Sequence, residues 1–105
     1  MSKIVYCMAQ FEPKEGKFDL LFNRLKALEP NTLREDGCIS YRVTRHVKNQ
    51  FADGESMPIA FIESWRDVDA FETHCQRDEI VEFFENECLS KSGLVEKYNV
   101  VTYMD

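Results

Sequence analysis

Along the chain the spacing of hydrophobic and polar positions changes period several times, and each change marks an element. "KIVYCMAQFE" is rich in β-branched, aromatic and apolar residues and runs to Pro13, which cannot donate to a strand ladder. It predicts a first strand. After "PKEG", Phe18, Leu21, Phe22, Leu25 and Leu28 fall on one stripe of an amphipathic helix. Pro30 has no N–H for the carbonyl one turn back, and its ring clashes there. It is expected to end or kink that helix and leave "NTLRE" as a separate last turn.

"DGCISYRVTRH" opens with a turn pair and then alternates, with Ile39, Tyr41 and Val43 on one face and Ser40, Arg42 and Thr44 on the other. "PIAFIESW" is the next strand, and the polar "VKNQFADGESM" between them is longer than a tight hairpin needs. Asp67 suits the N-cap of a helix whose stripe is Val68, Phe71 and Cys75. Asp78 suits the cap of another carrying Ile80, Phe84 and Cys88, closed by Gly93. "LVEKYNVVTYM" is the last strand. The order β-α-β-β-α-β, with its second helical region in two pieces, is that of the α+β ferredoxin-like split βαβ: an antiparallel sheet with helices on one face.

Such a sheet leaves its other face open, and strands one, three and four carry large apolar residues on both faces. A second copy of the chain is the simplest cover, because a two-fold axis brings an identical complementary face. A homodimer is therefore expected. At 105 residues the chain reads as a single domain over 1–105, with no repeats or linkers.

Composition narrows the partners. A net charge of −6 and a pI near 4.9 lack the basic footprint that phosphate backbones or anionic lipid require, so nucleic acid and membrane are not expected. "MSKIVYCMAQF" is too short and too soon interrupted to read as a signal peptide, and a cytoplasmic location is expected. Cys7, Cys38, Cys75 and Cys88 are widely separated, with no paired Cys/His spacing, and read as four core thiols rather than metal ligands.

With that order in place, "EDGCISY" after the first helix and "IESWRDVDAFETH" from the third strand into the next helix resemble the antibiotic biosynthesis monooxygenase family of small dimeric α+β barrels. The resemblance spans almost the whole chain. It implies a range of reactions: cofactor-free oxygenation of phenols and quinols, isomerisation of a phosphorylated sugar, and haem degradation. At the positions where the haem-degrading relatives have Asn, Trp and His, this chain has Ala9, His74 and Phe84, so haem chemistry is not expected. His74 matches a histidine of the isomerase and quinol branches, whereas Glu79 stands where those relatives often have a second histidine.

His74 is thus the candidate catalytic residue, a base near pKa 6.5 for a phenol or enol proton, although it sits on the flank of the Val68–Phe71–Cys75 stripe. The candidate substrate-binding residues are Trp65, Tyr41, Phe71, Phe84, Phe51 and Glu63. Trp65 reads either as core or as a flat wall for an aromatic ligand. Tyr41 reads either as packing or as a donor to a phenolate. Glu63, on an apolar face, calls for a buried ion pair with Arg42, Arg45 or a partner arginine, with a catalytic carboxylate as the other reading. His46 is expected as a solvated loop residue, Glu79, Glu82, Glu85 and Glu87 as a solvated helix face, and Phe51 with Met57 as a loop closing over a ligand.

The resemblance implies a cofactor-free monooxygenase or oxidase that joins a small electron-rich phenol or hydroquinone with dioxygen. It needs no cofactor or metal, only an apolar cavity, a base and donors for negative charge. A hydroxycarbonyl isomerase or tautomerase using the same His74, and a non-catalytic dimeric module for a small apolar ligand, are the two other readings.

Overall fold

The computed structural model describes residues 3–105; Met1 and Ser2 lie outside the described residues. Four strands, β1 (Val5–Pro13), β2 (Cys38–Arg45), β3 (Ile59–Trp65) and β4 (Val95–Met104), form one sheet in the order β2-β3-β1-β4. Every neighbouring pair is antiparallel. The helices are α1 (Phe18–Lys26), α2 (Glu29–Leu33), α3 (Val68–Cys75) and α4 (Asp78–Phe83), the last running into a π-turn over Phe84–Cys88. This is the expected ferredoxin-like α+β fold.

Alternation along β1 and β3 sends Val5, Cys7, Ala9 and Phe11 with Ile59, Phe61, Glu63 and Trp65 to one side, where they meet Leu21, Leu25 and Leu28 of the first helical region and Ile80 and Phe83 of α4. In β4, Tyr98, Val100 and Met104 pair with Phe11, Ala9 and Val5 and so face the same side. All three stay exposed, so the edge strand runs past the helical cover. On the opposite face Tyr6, Ile62 and Tyr103 are exposed.

Local expectations are corrected in four places. The first break comes at Ala27, before Pro30, and Pro30 lies in the first turn of α2, where a missing N–H costs nothing. A bulge between Cys38 and Ser40 turns Ile39 out to solvent, away from Tyr41 and Val43. Asp67 caps α3 by accepting a bond from the Ala70 amide at 2.8 Å, but Asp78 is already helical and Arg77 holds the cap position of α4 without a side-chain bond. Of the four thiols only Cys7 is fully buried; Cys75 is exposed.

Candidate active site

The α3 stripe is rotated from the expected one. Ala70 and His74, one turn apart, are its buried residues, while Val68 is exposed. His74 therefore belongs to the core face and is only 4% exposed. A buried imidazole needs a polar partner, and it comes from the turn before β2. Gly37 there has φ +86°, and a Cβ on it would collide with the Ala70 methyl group, so the bare glycine lets the turn lie directly on α3. The Arg66 amide donates to Gly37 O at 2.8 Å and locks the two together.

That contact brings Glu35, two residues before the glycine, to His74, one helical turn after Ala70. Glu35 Oε2 lies 2.9 Å from His74 Nδ1, and the same oxygen accepts from Arg77 Nη1. Arg77 also reaches Glu79 at 3.2 Å, and Asn31 donates to Glu79 at 3.2 Å. Facing a carboxyl oxygen of Glu35, the neutral imidazole carries its proton on Nδ1. The lone pair is left on Nε2, which has no protein partner among the described residues. Burial pulls the imidazole below its ordinary pKa of 6.5, opposed by the bond to Glu35. His74 is thus a neutral base at neutral pH.

The ring is fixed between Trp65, 4.5 Å away and tilted, and Tyr41, 5.2 Å away and edge-on. His74 lines a cavity between the sheet and the helices. Tyr41, Glu63, Phe71, Phe84 and Val100 line it as well, in an almost wholly apolar wall. The structure therefore brings together His74, Tyr41, Glu63, Phe71 and Phe84 from the expected set. The π-turn sets the wall at Phe84, which contacts Phe83 at 5.4 Å and Tyr98 at 5.6 Å.

Other expectations are redirected. Trp65 is wholly buried behind His74 and does not line the cavity; its indole N–H donates to Glu63 Oε1 at 3.0 Å. Phe51, at a loop tip closed by Asn49 and Ala52, is 89% exposed and lies outside the cavity wall, as does Met57. His46 is half-buried and ties its amide to Pro58 O at 2.8 Å. Two of the four helix glutamates are engaged rather than solvated, Glu79 as above and Glu87 with Arg24 at 3.3 Å.

Among the described residues no ion pair forms at Glu63: Arg42 is exposed, and Arg45 lies over the rings of Phe18 and Phe22. The carboxyl is buried between its cross-strand partners Cys7 and Tyr41, and without a cation burial pushes its pKa up to about 7, opposed by the indole bond. The same burial pushes the Tyr41 phenol and the Cys7 thiol well above their ordinary ranges. Among the described residues no three His, Cys, Asp or Glu side chains are grouped to hold a metal ion. No helix among them is long and apolar enough to cross a membrane.

Sequence reasoning did not find Glu35 and Arg77. The available signal was the acidic pair before Gly37, together with the need of any buried histidine for a partner.

The family model for antibiotic biosynthesis monooxygenases matches residues 4–86. No curated protein matches the chain. Among solved structures, protein SO0527 from Shewanella oneidensis is 33% identical with a TM-score of 0.79, covering 98% of this chain and 91% of its own. PA3566 from Pseudomonas aeruginosa is 22% identical with a TM-score of 0.78, over 100% of this chain and 96% of its own. A dabb family protein with a ferredoxin-like fold from Mesorhizobium loti is 14% identical with a TM-score of 0.72, over 97% and 96%. The last two likenesses concern the fold alone.

Proposed function

The chain belongs to the antibiotic biosynthesis monooxygenase family, and from that premise we propose that it is a cofactor-free monooxygenase of a small, electron-rich phenol or hydroquinone, with dioxygen as co-substrate. The observation that carries this reading is the buried His74, bonded at Nδ1 to Glu35 and lining an apolar cavity.

The substrate hydroxyl gives its proton to Nε2. The imidazolium that forms is stabilised across 2.9 Å by Glu35, itself held by Arg77. A positioned base of this kind contributes about 10²- to 10⁴-fold. The phenolate left in an apolar, water-poor site is destabilised relative to water and gives up an electron to dioxygen more readily than it would in bulk solvent. Phe71, Phe84 and Phe61 offer the flat walls that hold an aromatic ring, and Tyr41, kept as a neutral phenol by burial, offers a hydrogen bond to its oxygen. No lysine or arginine lines the cavity, which favours an uncharged substrate over a phosphorylated one.

The working unit in this proposal is a homodimer forming an α+β barrel in the cytoplasm. Its support is the exposed apolar set on both faces of the sheet: Tyr6, Ile62 and Tyr103 on one side, Tyr98 and Val100 on the other. Val100 also lines the cavity, so a partner over β4 would narrow its mouth.

An oxygen electrode with 1,4-naphthohydroquinone and 1-naphthol, corrected for autoxidation, tests the function. Protein-dependent oxygen uptake that His74→Ala abolishes is expected. Conversion of a hydroxycarbonyl compound without oxygen uptake would replace it by the isomerase reading.

A further inference from the structure

Glu63 faces the same cavity as His74, from the sheet side rather than the helix side. It sits in the middle of the sheet, with Cys7 opposite it on β1 and Tyr41 opposite it on β2. A carboxyl in such a place needs a structural reason, and the usual one, an arginine or lysine partner, is missing. Among the described residues its side-chain bonds come from the Trp65 indole, at 3.0 Å to Oε1, and from the Cys7 thiol. The ionisable groups facing it are all neutral or negative: the thiols of Cys7, Cys38 and Cys75, the Tyr41 phenol, and Glu35 behind His74. A hydrophobic residue of similar volume would stabilise the core more than this acid does. What the acid supplies is a transferable proton inside an apolar chamber that already holds a base.

We propose that Glu63 is the general acid of the site, delivering its proton to the oxygen that leaves the substrate while His74 takes a proton from the carbon. This rests on the reading of His74 as the base. Once dioxygen has added to a ring carbon that bears hydrogen, and the adduct has been protonated by the His74 imidazolium, a C–O–O–H group remains. The O–O bond then breaks with its electron pair going to the distal oxygen, which takes the Glu63 proton and departs as water. The C–H proton goes to His74 Nε2, and the C–H electron pair becomes the second C–O bond of the carbonyl. Dioxygen is reduced, the ring is oxidised, and the pair is left as imidazolium and carboxylate. One proton passed back from His74 to Glu63 restores both. An acid and a base on facing walls therefore close the cycle without drawing protons from outside the chamber.

Burial agrees with the assignment. A carboxyl titrating at about 7 is protonated for much of the time at neutral pH, whereas an ordinary glutamic acid is not. Geometry and pKa point the same way for His74, which is neutral over the same range. Two groups whose environments move them toward each other in this way give a narrow bell-shaped rate profile. Its acid limb, below 6.5, belongs to His74; its alkaline limb, near 7, belongs to Glu63.

The test uses the full chain, Glu63→Gln and His74→Ala, with 1,4-naphthohydroquinone and dioxygen, and reads kcat and KM across pH. Glu63→Gln keeps the shape and the acceptor for Trp65 but has no proton to give. It is expected to lower kcat by about 10²-fold with KM within about threefold, and to remove the alkaline limb while the acid limb stays. Independently of turnover, infrared spectra at pH 6 to 8 are expected to show one protonated-carboxyl band in the wild type that Glu63→Gln deletes. Loss of activity in His74→Ala with near-normal kcat and both limbs in Glu63→Gln would overturn the acid while leaving the base intact. Absence of the band at pH 6, or a wild type inert toward the probe, would overturn it too, the latter together with the reading beneath it.

Discussion

Glu35 Oε2 lies 2.9 Å from His74 Nδ1, although 39 positions separate the two residues in sequence. The turn at Gly37 and the start of α3 at Asp67 make the meeting possible, and Arg77 Nη1 donates to the same carboxyl oxygen. Glu35 acts through His74: it fixes which nitrogen carries the proton and raises the affinity of the imidazole for a second one.

Replacing Glu35 with Gln separates these contributions. The amide still accepts from Nδ1, but the negative charge is gone and Arg77, left with Glu79 as its acidic partner, weighs more heavily on the ring. Both changes lower the His74 pKa further. The expected result is a kcat/KM reduced by about 10-fold or more, with the acid limb of the rate profile moved to lower pH. Imidazole NMR titrations and the pH–rate profile check it. An unmoved limb would mean that Glu35 does not set the state of the base.

Stability should depend on pH in a way that separates Glu63 from His74. Glu63 has a folded pKa of about 7 against an ordinary 4.5, so the folded chain holds the extra proton between those values. Its contribution is complete below 4.5 and is lost as pH rises through 7, by up to about 3 kcal/mol. His74, lowered from 6.5, acts in the opposite sense: the unfolded chain takes up its proton first, so stability is lost as pH falls below 6.5. Glu63→Gln should therefore stabilise the protein at pH 8 relative to wild type and change little at pH 5. Urea unfolding at the two pH values measures this.

Element types were legible because composition, period and punctuation agreed along most of the chain: "KIVYCMAQFE" is a β-branched, aromatic and apolar run into Pro13, and Phe18 to Leu28 keeps helical spacing. The phase of α3 was not. Val68, Phe71 and Cys75 look like the buried stripe by hydrophobicity, yet the tight approach at Gly37 selects Ala70 as the contact and turns His74 inward. A small residue packs on backbone where a large one cannot, and a hydrophobicity pattern does not register that. The unpaired state of Glu63 was hidden for a related reason. Burial without a cation is a property of what surrounds the strand, whereas alternation reports only its face. Loop length marked Phe51 as a lid candidate, but length carries no direction, and Phe51 lies exposed outside the cavity wall.

Gly37 is the position where this packing can be broken with one methyl group. Its φ of +86° is unfavourable for any residue with a Cβ, and the added carbon would strike Ala70 on α3. Gly37→Ala is expected to cost about 1–3 kcal/mol through backbone strain and to move Glu35 away from His74. Turnover per folded molecule should then fall along with the melting temperature. Gly54→Ala, at an open position with negative or extended φ and no neighbour, should change neither by much. Thermal unfolding and oxygen uptake on the same preparations decide the point.

Association follows from the sheet rather than from the site, so it can be tested without a substrate. Ile62 is 43% exposed in the middle of β3, with Tyr6 and Tyr103 exposed on the same face. A sheet interior does not leave such residues in water unless something covers them. A stable two-fold interface there would bury upwards of about 2,000 Å². Wild type is expected to sediment as a dimer at low micromolar concentration. Ile62→Glu puts a charge at the centre of the proposed interface and should shift the equilibrium to monomer, because an unpaired buried charge costs several kcal/mol. Val100 and the cavity lie on the helix side of the sheet, so the monomeric variant should keep the His74–Glu35 bond and its pH signature. A wild type that sediments as a monomer would remove the barrel.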